Sequence, residues 1–265
     1  MLIDTHCHLT FDDLFAQTGA VLQRARAAGV ERVINVATNV EDARRAVALL
    51  ADHPGVYLAA GIHPHEAART SDDDRAALAD LHRGRWADVP AGRLVAIGET
   101  GLDFHYDFAT PAQQEALFRF HLDLACESGR PVIIHAREAE QRVCEILADY
   151  PTLLGRVVFH CYSGGVELTR RILDMGHWLS FTGVVTFRNA ETVRQSARIV
   201  PDNRLMLETD APFMSPEPVR KQRPCEPALV VHTARFLAQL REDSFASLAA
   251  TTTANAVRFF ELPEE

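Results

Sequence analysis

Cysteine is scarce in this 265-residue chain. Cys7, Cys126, Cys144, Cys161 and Cys225 are its five thiols, and no two stand at a C-x-x-C spacing. An odd count without a secretion signal argues against a disulfide framework and fits a reducing compartment. Long apolar runs are missing too. The opening "LIDTHCHL" (2–9) lacks a basic flank and is broken by an aspartate and two histidines, so it does not read as a signal peptide. Nothing reaches the length of a membrane span. The expectation is a cytoplasmic protein with no membrane partner. Positive charge is in short supply, 27 Lys+Arg against 36 Asp+Glu for a net charge of -9. That argues against a surface built to coat a duplex, but leaves open a pocket for a chain end or small phosphate, because a bound divalent cation reverses the local field. No Gly-x-Gly-x-x-Gly opens a helix, and no glycine-rich loop ends in Gly-Lys-Ser/Thr. Linkers and low-complexity tails are lacking, so residues 1–265 are expected to form one domain.

What the chain does have is repetition. Eight short β-rich runs occupy 2–8, 32–38, 56–62, 94–100, 131–137, 156–162, 177–182 and 205–210. Most are continuously apolar rather than alternating, the mark of a buried parallel sheet. Helical patterns fall between them, at 13–28, 41–52, 72–82, 110–129, 138–149, 165–175, 190–199 and 226–238. A last one, about 243–261, is expected in the outer ring. Thr110 reads as a cap, Pro111 as a first helical residue and Gly129 as a stop. Eight βα units predict an α/β fold of the TIM-barrel, (β/α)8, type; an open doubly wound sheet is the rival. The Pro-rich segment 211–227 reads as a long ordered loop beside the active face.

The C-terminal ends of barrel strands line the active site, and here they are rich in ionisable groups. His6 and His8 end the first strand and, two apart, point the same way; Cys7 between them points away. "GIHPH" carries His63 and His65, "AIGETGLD" carries Glu99 and Asp103, "VIIHAR" carries His135 and Arg137, "VVFHCYSGG" carries His160, and "LMLETDAP" carries Glu208 and Asp210. One such histidine or carboxylate would be an ordinary hydrogen-bonding or capping group. Convergence from five strands points to a metal centre, which compensates buried carboxylates and takes the lone pairs of neutral imidazoles. The candidate ligands are His6, His8, Glu99, His135, His160 and Asp210. That is too many for one open tetrahedral site, and suits two ions bridged by Glu99. Mixed N/O ligation admits Zn, Mn, Mg, Co or Fe. Asp4 and Glu208 are candidates for holding ligand histidines from behind.

In order, "IDTHCHL", "GIHPH", "IGETGLDF", "PVIIHAR", "FHCYSGG" and "LETDAPF", with "EPALV" (226–230) and "NAVRFF" (255–260), make the chain resemble the TatD family of metal-dependent deoxyribonucleases, among the amidohydrolase-like TIM barrels. The resemblance implies that His6, His8 and Asp210 serve a first metal, His135 and His160 a second, and Glu99 both, where many amidohydrolase relatives use a carboxylated lysine. It implies Mg or Mn, with Zn also open, and a DNA substrate, single-stranded or 3′-ended, cleaved 3′ to 5′. One departure stands out. Where relatives read Arg-Gly-Lys-Arg-Asn-Glu-Pro, this chain has "RKQRPCEP", with Lys221 and Cys225 in place of glycine and asparagine.

The chemistry expected is two-metal hydrolysis by an activated water, with Asp210 and Glu99 at the reacting centre. His63, His65 and Arg137 are expected to hold phosphate oxygens or the leaving group. Arg220, Lys221 and Arg223 form a short cationic run beside the site. Tyr106, Phe104 and Phe213 either pack the loops or stack on a terminal base. The competing reading is hydrolysis of another ester or an amide, including D-aminoacyl-tRNA. A monomer without an obligate protein partner is expected.

Overall fold

The computed structural model describes residues 1–263, so the last two residues of the expected domain lie outside the described part. Eight strands form one all-parallel sheet in sequence order: β1 (Leu2–Cys7), β2 (Val30–Ala37), β3 (Val56–Ala60), β4 (Leu94–Asp103), β5 (Val132–Arg137), β6 (Val157–Phe159), β7 (Trp178–Phe181) and β8 (Leu205–Leu207). Parallel neighbours require a crossover between each pair. These carry α1 (Asp12–Phe15), α2 (Thr18–Ala27), α3 (Val40–Asp52), α4 (Asp72–His82), α5 (Pro111–Ser128), α6 (Glu140–Leu147), α7 (Val166–Asp174) and α8 (Glu191–Ile199); α9 (Val230–Leu240) and α10 (Phe245–Phe260) follow β8. The ring closes between β8 and β1 just past the end of β8. There Asp210 N–H donates to His6 O at 2.9 Å and His8 N–H to Ala211 O at 2.7 Å. This is the (β/α)8 barrel.

Local chemistry explains the boundaries. Thr110 caps α5 in a reciprocal pair with Gln113, Pro111 opens the helix, and Gly129 ends it at φ 67°. The helix expected over 13–28 is instead broken into α1 and α2. Thr18 Oγ1 donates to Phe15 O at 2.9 Å, a side-chain bond that competes with helical continuation. The helix expected from 226 starts as a 3-10 turn, Pro227–Leu229, beside the bidentate pair of Glu226 with Arg24. Strands β6 and β8 stop before His160 and Asp210, because Cys161 (φ 44°) and Asp210 (φ 56°) turn the chain out of the ladder.

A second apolar cluster lies apart from the large core between sheet and helices. It joins Ile3, Ile34, Tyr57, Ile133, Trp178 and Met206 to Phe259, Phe260 and Leu262. The end of α10 therefore packs against residues of the strands themselves, more than the outer-ring place expected for it. Among the described residues no helix is long and apolar enough to cross a membrane.

Candidate metal centre

Two β-bulges aim the first groups. Asp4 faces Val33 of β2 while Cys7 faces Asn35, so β1 carries one extra residue over this span. Thr5 reaches Ser180 on β7 at 3.3 Å. The adjacent His6 also turns toward the barrel axis and stacks on His160 at 3.9 Å between ring centroids. His8 follows, its Nε2 3.2 Å from that of His6. Cys7 turns the other way, into the large apolar core. On β4, Ile97 faces Val132 and Thr100 faces Ile134, a second bulge, and it contains Glu99. Gly98 and Gly101 have φ of 130° and 141°. A Cβ on Gly98 would stand 2.5 Å from Ile133 O, and one on Gly101 would collide with His135 O. The bulge therefore needs both glycines.

The two oxygens of Glu99 look in different directions. Oε2 lies 3.6 Å from His6 Nε2 and 3.8 Å from His8 Nε2. Asp210 Oδ1 lies 3.8 and 3.4 Å from the same nitrogens. Oε1 lies 2.9 Å from His135 Nδ1, 2.7 Å from His160 Nε2 and 3.6 Å from His63 Nε2. A tetrahedral ion with ligands near 2.05 Å separates them by about 3.3 Å, close to the spacing of the first set. The donor chemistry fits as well. His8 Nδ1 donates to Val36 O at 2.8 Å, which turns the Nε2 lone pair toward His6. His135 Nε2 meets Asp103 Oδ2 at 2.9 Å, which turns the Nδ1 lone pair toward Glu99. Lone pairs converging on a carboxylate need a proton or a cation between them. Two clusters sharing Glu99, His6–His8–Glu99 and His63–Glu99–His135, could each hold a divalent ion, and His6–His160–Glu208 is a third group of suitable spacing.

Charge and burial oppose one another here. Burial works against ionised Glu99, but the charges of His160 and His63 and hydrogen bonds from His135 and His160 outweigh it and hold its pKa well below the usual carboxylate range. Burial also opposes the charge on Asp210, and His8 overcomes it. His8, His135 and His160 are raised despite burial, through Asp210, through Asp103 with Glu99, and through Glu99 with Glu208 respectively. Burial lowers His6, and pushes His63 down to about 4. Protons on His8, His135 and His160 stand where cations would, and metal binding would release them.

The remaining expected residues divide by position. His65 N–H donates to His63 Nδ1 at 3.1 Å, so neutral His63 carries its proton on Nε2; of the second cluster it is the member that fits by spacing alone, and Glu99 and His135, with His160 beside them, offer the lone pairs. His65 Nε2 meets Asp103 Oδ2 at 2.9 Å. Arg137 is exposed, its guanidinium 4.8 Å above the Tyr106 ring. Glu208 accepts the Cys161 N–H at 2.5 Å and stands 3.4 Å from His160 Nδ1. Asp4 does not orient the His6 ring. It accepts the His6 and Thr209 N–H groups and the Thr209 hydroxyl, tying β1 to the end of β8, and burial raises it to about 8. Phe104 packs on the core, whereas Tyr106 and Phe213 are exposed. Arg220 lies over Phe187 at 3.8 Å, and Arg223 donates to carbonyls of its own loop.

Above the ligand clusters opens a cavity of about 640 Å³, lined by His63, His65, Tyr106, Arg137, Phe213 and Met214 among others. Sequence reasoning gave no role to Asp103, though it stands four residues after Glu99 on the same strand, and it passed over Phe11 and Phe108.

A family model described as TatD related DNase matches residues 3–261. The "Uncharacterized metal-dependent hydrolase YabD" of Bacillus subtilis is 36% identical over 262 residues, covering 99% of this chain and 100% of that one. The "3'-5' ssDNA/RNA exonuclease TatD" of Cronobacter sakazakii is 35% identical over 263 residues, covering 98% and 97%. The crystal structure of YJJV, a TatD homolog from Escherichia coli, superposes with a TM-score of 0.91 at 31% identity over 99% of this chain and 98% of that one.

Proposed function

Because the chain belongs to the TatD family of metal-dependent hydrolases, we propose that it is a two-metal 3′–5′ exonuclease acting on single-stranded or 3′-ended DNA, as a monomer in the cytoplasm. The observation that carries the reading is Glu99, which presents one oxygen to His6 and His8 and the other to His135 and His160, below an open cavity. The relative from Cronobacter, named for 3′–5′ cleavage of single-stranded DNA and RNA, supports the choice of substrate.

His6, His8 and Asp210 on one side of Glu99, and His135 and His160 on the other, would hold divalent cations, whose chemistry would be to acidify water and to offset phosphoryl charge. The chain's own groups do the rest. Asp210, held by His8 and turned inward by its left-handed backbone, orients the attacking water and accepts its proton. His63 presents Nε2–H to a phosphoryl or leaving oxygen. Arg137, steadied over Tyr106 on the rim, offers two parallel donors to a non-bridging pair of oxygens. His65, anchored by Asp103, stands beside it.

The test is a substrate panel with Mg, Mn or Zn added singly: single-stranded oligonucleotides labelled at either end, 3′-recessed and blunt duplexes, simple esters and amides, and D-aminoacyl-tRNA. Stepwise shortening from the 3′ end is expected. Intact nucleic acid alongside a hydrolysed ester, amide or aminoacyl-tRNA would make the nuclease reading wrong.

A further inference from the structure

Four large aromatic side chains are exposed among the described residues: Tyr106, Phe108, Phe213 and Phe245, at 42%, 59%, 48% and 38%. Three of them gather at one place, and leaving that much ring surface in water is unfavourable unless something covers it. Tyr106 and Phe108 stand in the loop between β4 and α5. Their rings are 5.6 Å apart, and that of His65 is 5.4 and 4.6 Å from them. Phe213 stands in the loop after β8, edge-on to Phe11 at 6.1 Å and to His8 at 6.4 Å. In an eight-stranded ring β4 and β8 are opposite one another. The cavity between them has the ligand clusters at its floor and counts Tyr106, Phe213, Phe11 and Arg137 in its lining.

A phosphodiester joins two nucleosides. A reacting phosphate over Glu99 would therefore send one nucleoside toward each wall. Every base offers a π-face, so aromatic walls accept bases regardless of sequence, but only when the bases are unpaired. Arg137, in the cavity lining with its guanidinium over the Tyr106 ring, supplies positive charge for the backbone. A protein partner would meet a wide, flat apolar patch. What it finds here is two small platforms separated by a cavity lined with histidine and carboxylate.

We propose that this mouth is a two-sided base clamp: the unpaired bases on either side of the reacting phosphodiester stack one on the Tyr106–Phe108 wall and the other on Phe213. The proposal rests on the nuclease reading and makes it more specific, since two bases must leave a duplex before cleavage.

The experiment compares the metal-loaded wild-type protein with Phe108→Ala, Phe213→Ala and, as a control away from the mouth, Phe245→Ala. Substrates are a 5′-labelled single strand, the same strand abasic at its terminal or penultimate 3′ position, and its blunt duplex. Each mouth variant should lower kcat/KM on the single strand by roughly 5- to 150-fold, mainly through KM, the effect of losing one stacked base. Phe245→Ala should match wild type. Removing the base that a given phenylalanine holds should cost wild type a similar factor but cost that variant little more, because coupled losses do not add. Cation content and circular dichroism of each variant show that the centre and fold are intact. If wild type shortens the strand and every loss multiplies independently, or Phe108→Ala and Phe213→Ala behave as wild type, the clamp is wrong and the nuclease reading stands. If wild type leaves every oligonucleotide intact, both fall.

Discussion

Asp103 Oδ2 accepts the Nε2–H of His135 at 2.9 Å, and the same oxygen accepts from His65 Nε2 at 2.9 Å. Its Oδ1 takes the N–H of His105 at 3.0 Å, and Gln114 grips the Asp103 backbone at both N–H and carbonyl. Burial disfavours its charge, but His135 and His65 hold its pKa well below the usual range. One fixed carboxylate thus sets the tautomer of a candidate ligand and the position of His65 in the cavity lining. Asp103→Asn keeps the shape but replaces an acceptor oxygen by a donor amide on one side. We expect about 10- to 100-fold weaker cation affinity at the His135 cluster, with the His6–His8 cluster retained. Calorimetric titration with Mn²⁺ reads both; two sites of wild-type affinity in the variant would remove Asp103 from this role.

Glu99 belongs to both clusters, so Glu99→Gln should weaken both cations, whereas His8→Ala should weaken one. Thermal unfolding gives a readout independent of activity. Cations that bind only the folded chain raise its stability by about 2.7 kcal/mol at a hundredfold excess over Kd, and a chelator removes that gain. Wild-type Tm should rise with added Mn²⁺ and fall back with EDTA. Glu99→Gln should show almost no such response, and a full cation-dependent rise in that variant would mean that Glu99 is not shared.

The eight strands were legible because each is an apolar run between turn signals, and the ligand strands because ionisable residues follow those runs. The bulges were not. Strict alternation places His6 on the face opposite Thr5, and only the pairing with β2 reveals the extra residue that turns both inward. The same holds for Glu99, whose placement depends on close approach of Gly98 and Gly101 to β5. Asp4 illustrates the limit from another side. Its nearness in sequence to His6 suggested a bond to the ring, but the groups that claim its oxygens include Thr209, which only the closed barrel brings near. Phe108 went unnoticed because an aromatic in a loop reads as packing until its exposure is known.

His121 predicts how the fold responds to acid. Its Nδ1 donates to Leu117 O at 2.7 Å and its Nε2 accepts the N–H of Ile62 at 2.9 Å, so α5 holds the residue just before His63. Burial pushes its pKa down to about 4, that of His177 to about 4 and that of His82 to about 3. An unfolded histidine takes up its proton near pH 6.5. Between that pH and 4 the unfolded chain binds more protons than the folded one, so stability is full above about pH 6.5 and declines as the pH falls toward 4. Urea midpoints of the EDTA-treated protein should drop across this window. His121→Phe should be less stable at neutral pH by about 1–3 kcal/mol, for the unpaired Ile62 N–H, and should lose less on acidification than wild type does. An equal acid loss in both would show that His121 is not one of the groups responsible.

The end of α10 separates stability from the reacting centre. Phe260 is 2% exposed and belongs to the cluster containing Ile3, Ile34, Tyr57 and Trp178, and Phe259 meets Trp178 edge-on at 5.5 Å. These strand residues precede the polar strand ends that carry His6, Glu99 and His160, so the cluster and the candidate ligands sit at different levels of the barrel. Phe260→Ala removes a buried ring that the surrounding strands cannot collapse to replace, and should cost about 3–5 kcal/mol of unfolding free energy. Under conditions where the variant remains folded, its cation affinity should equal that of wild type, because Phe260 packs in the apolar cluster of Ile3, Ile34, Tyr57 and Trp178 that precedes the polar strand ends. Urea unfolding and Mn²⁺ titration on the same sample measure the two quantities. A large loss of cation affinity without a loss of stability would reverse the assignment and make the C-terminal helix part of the machinery that shapes the site.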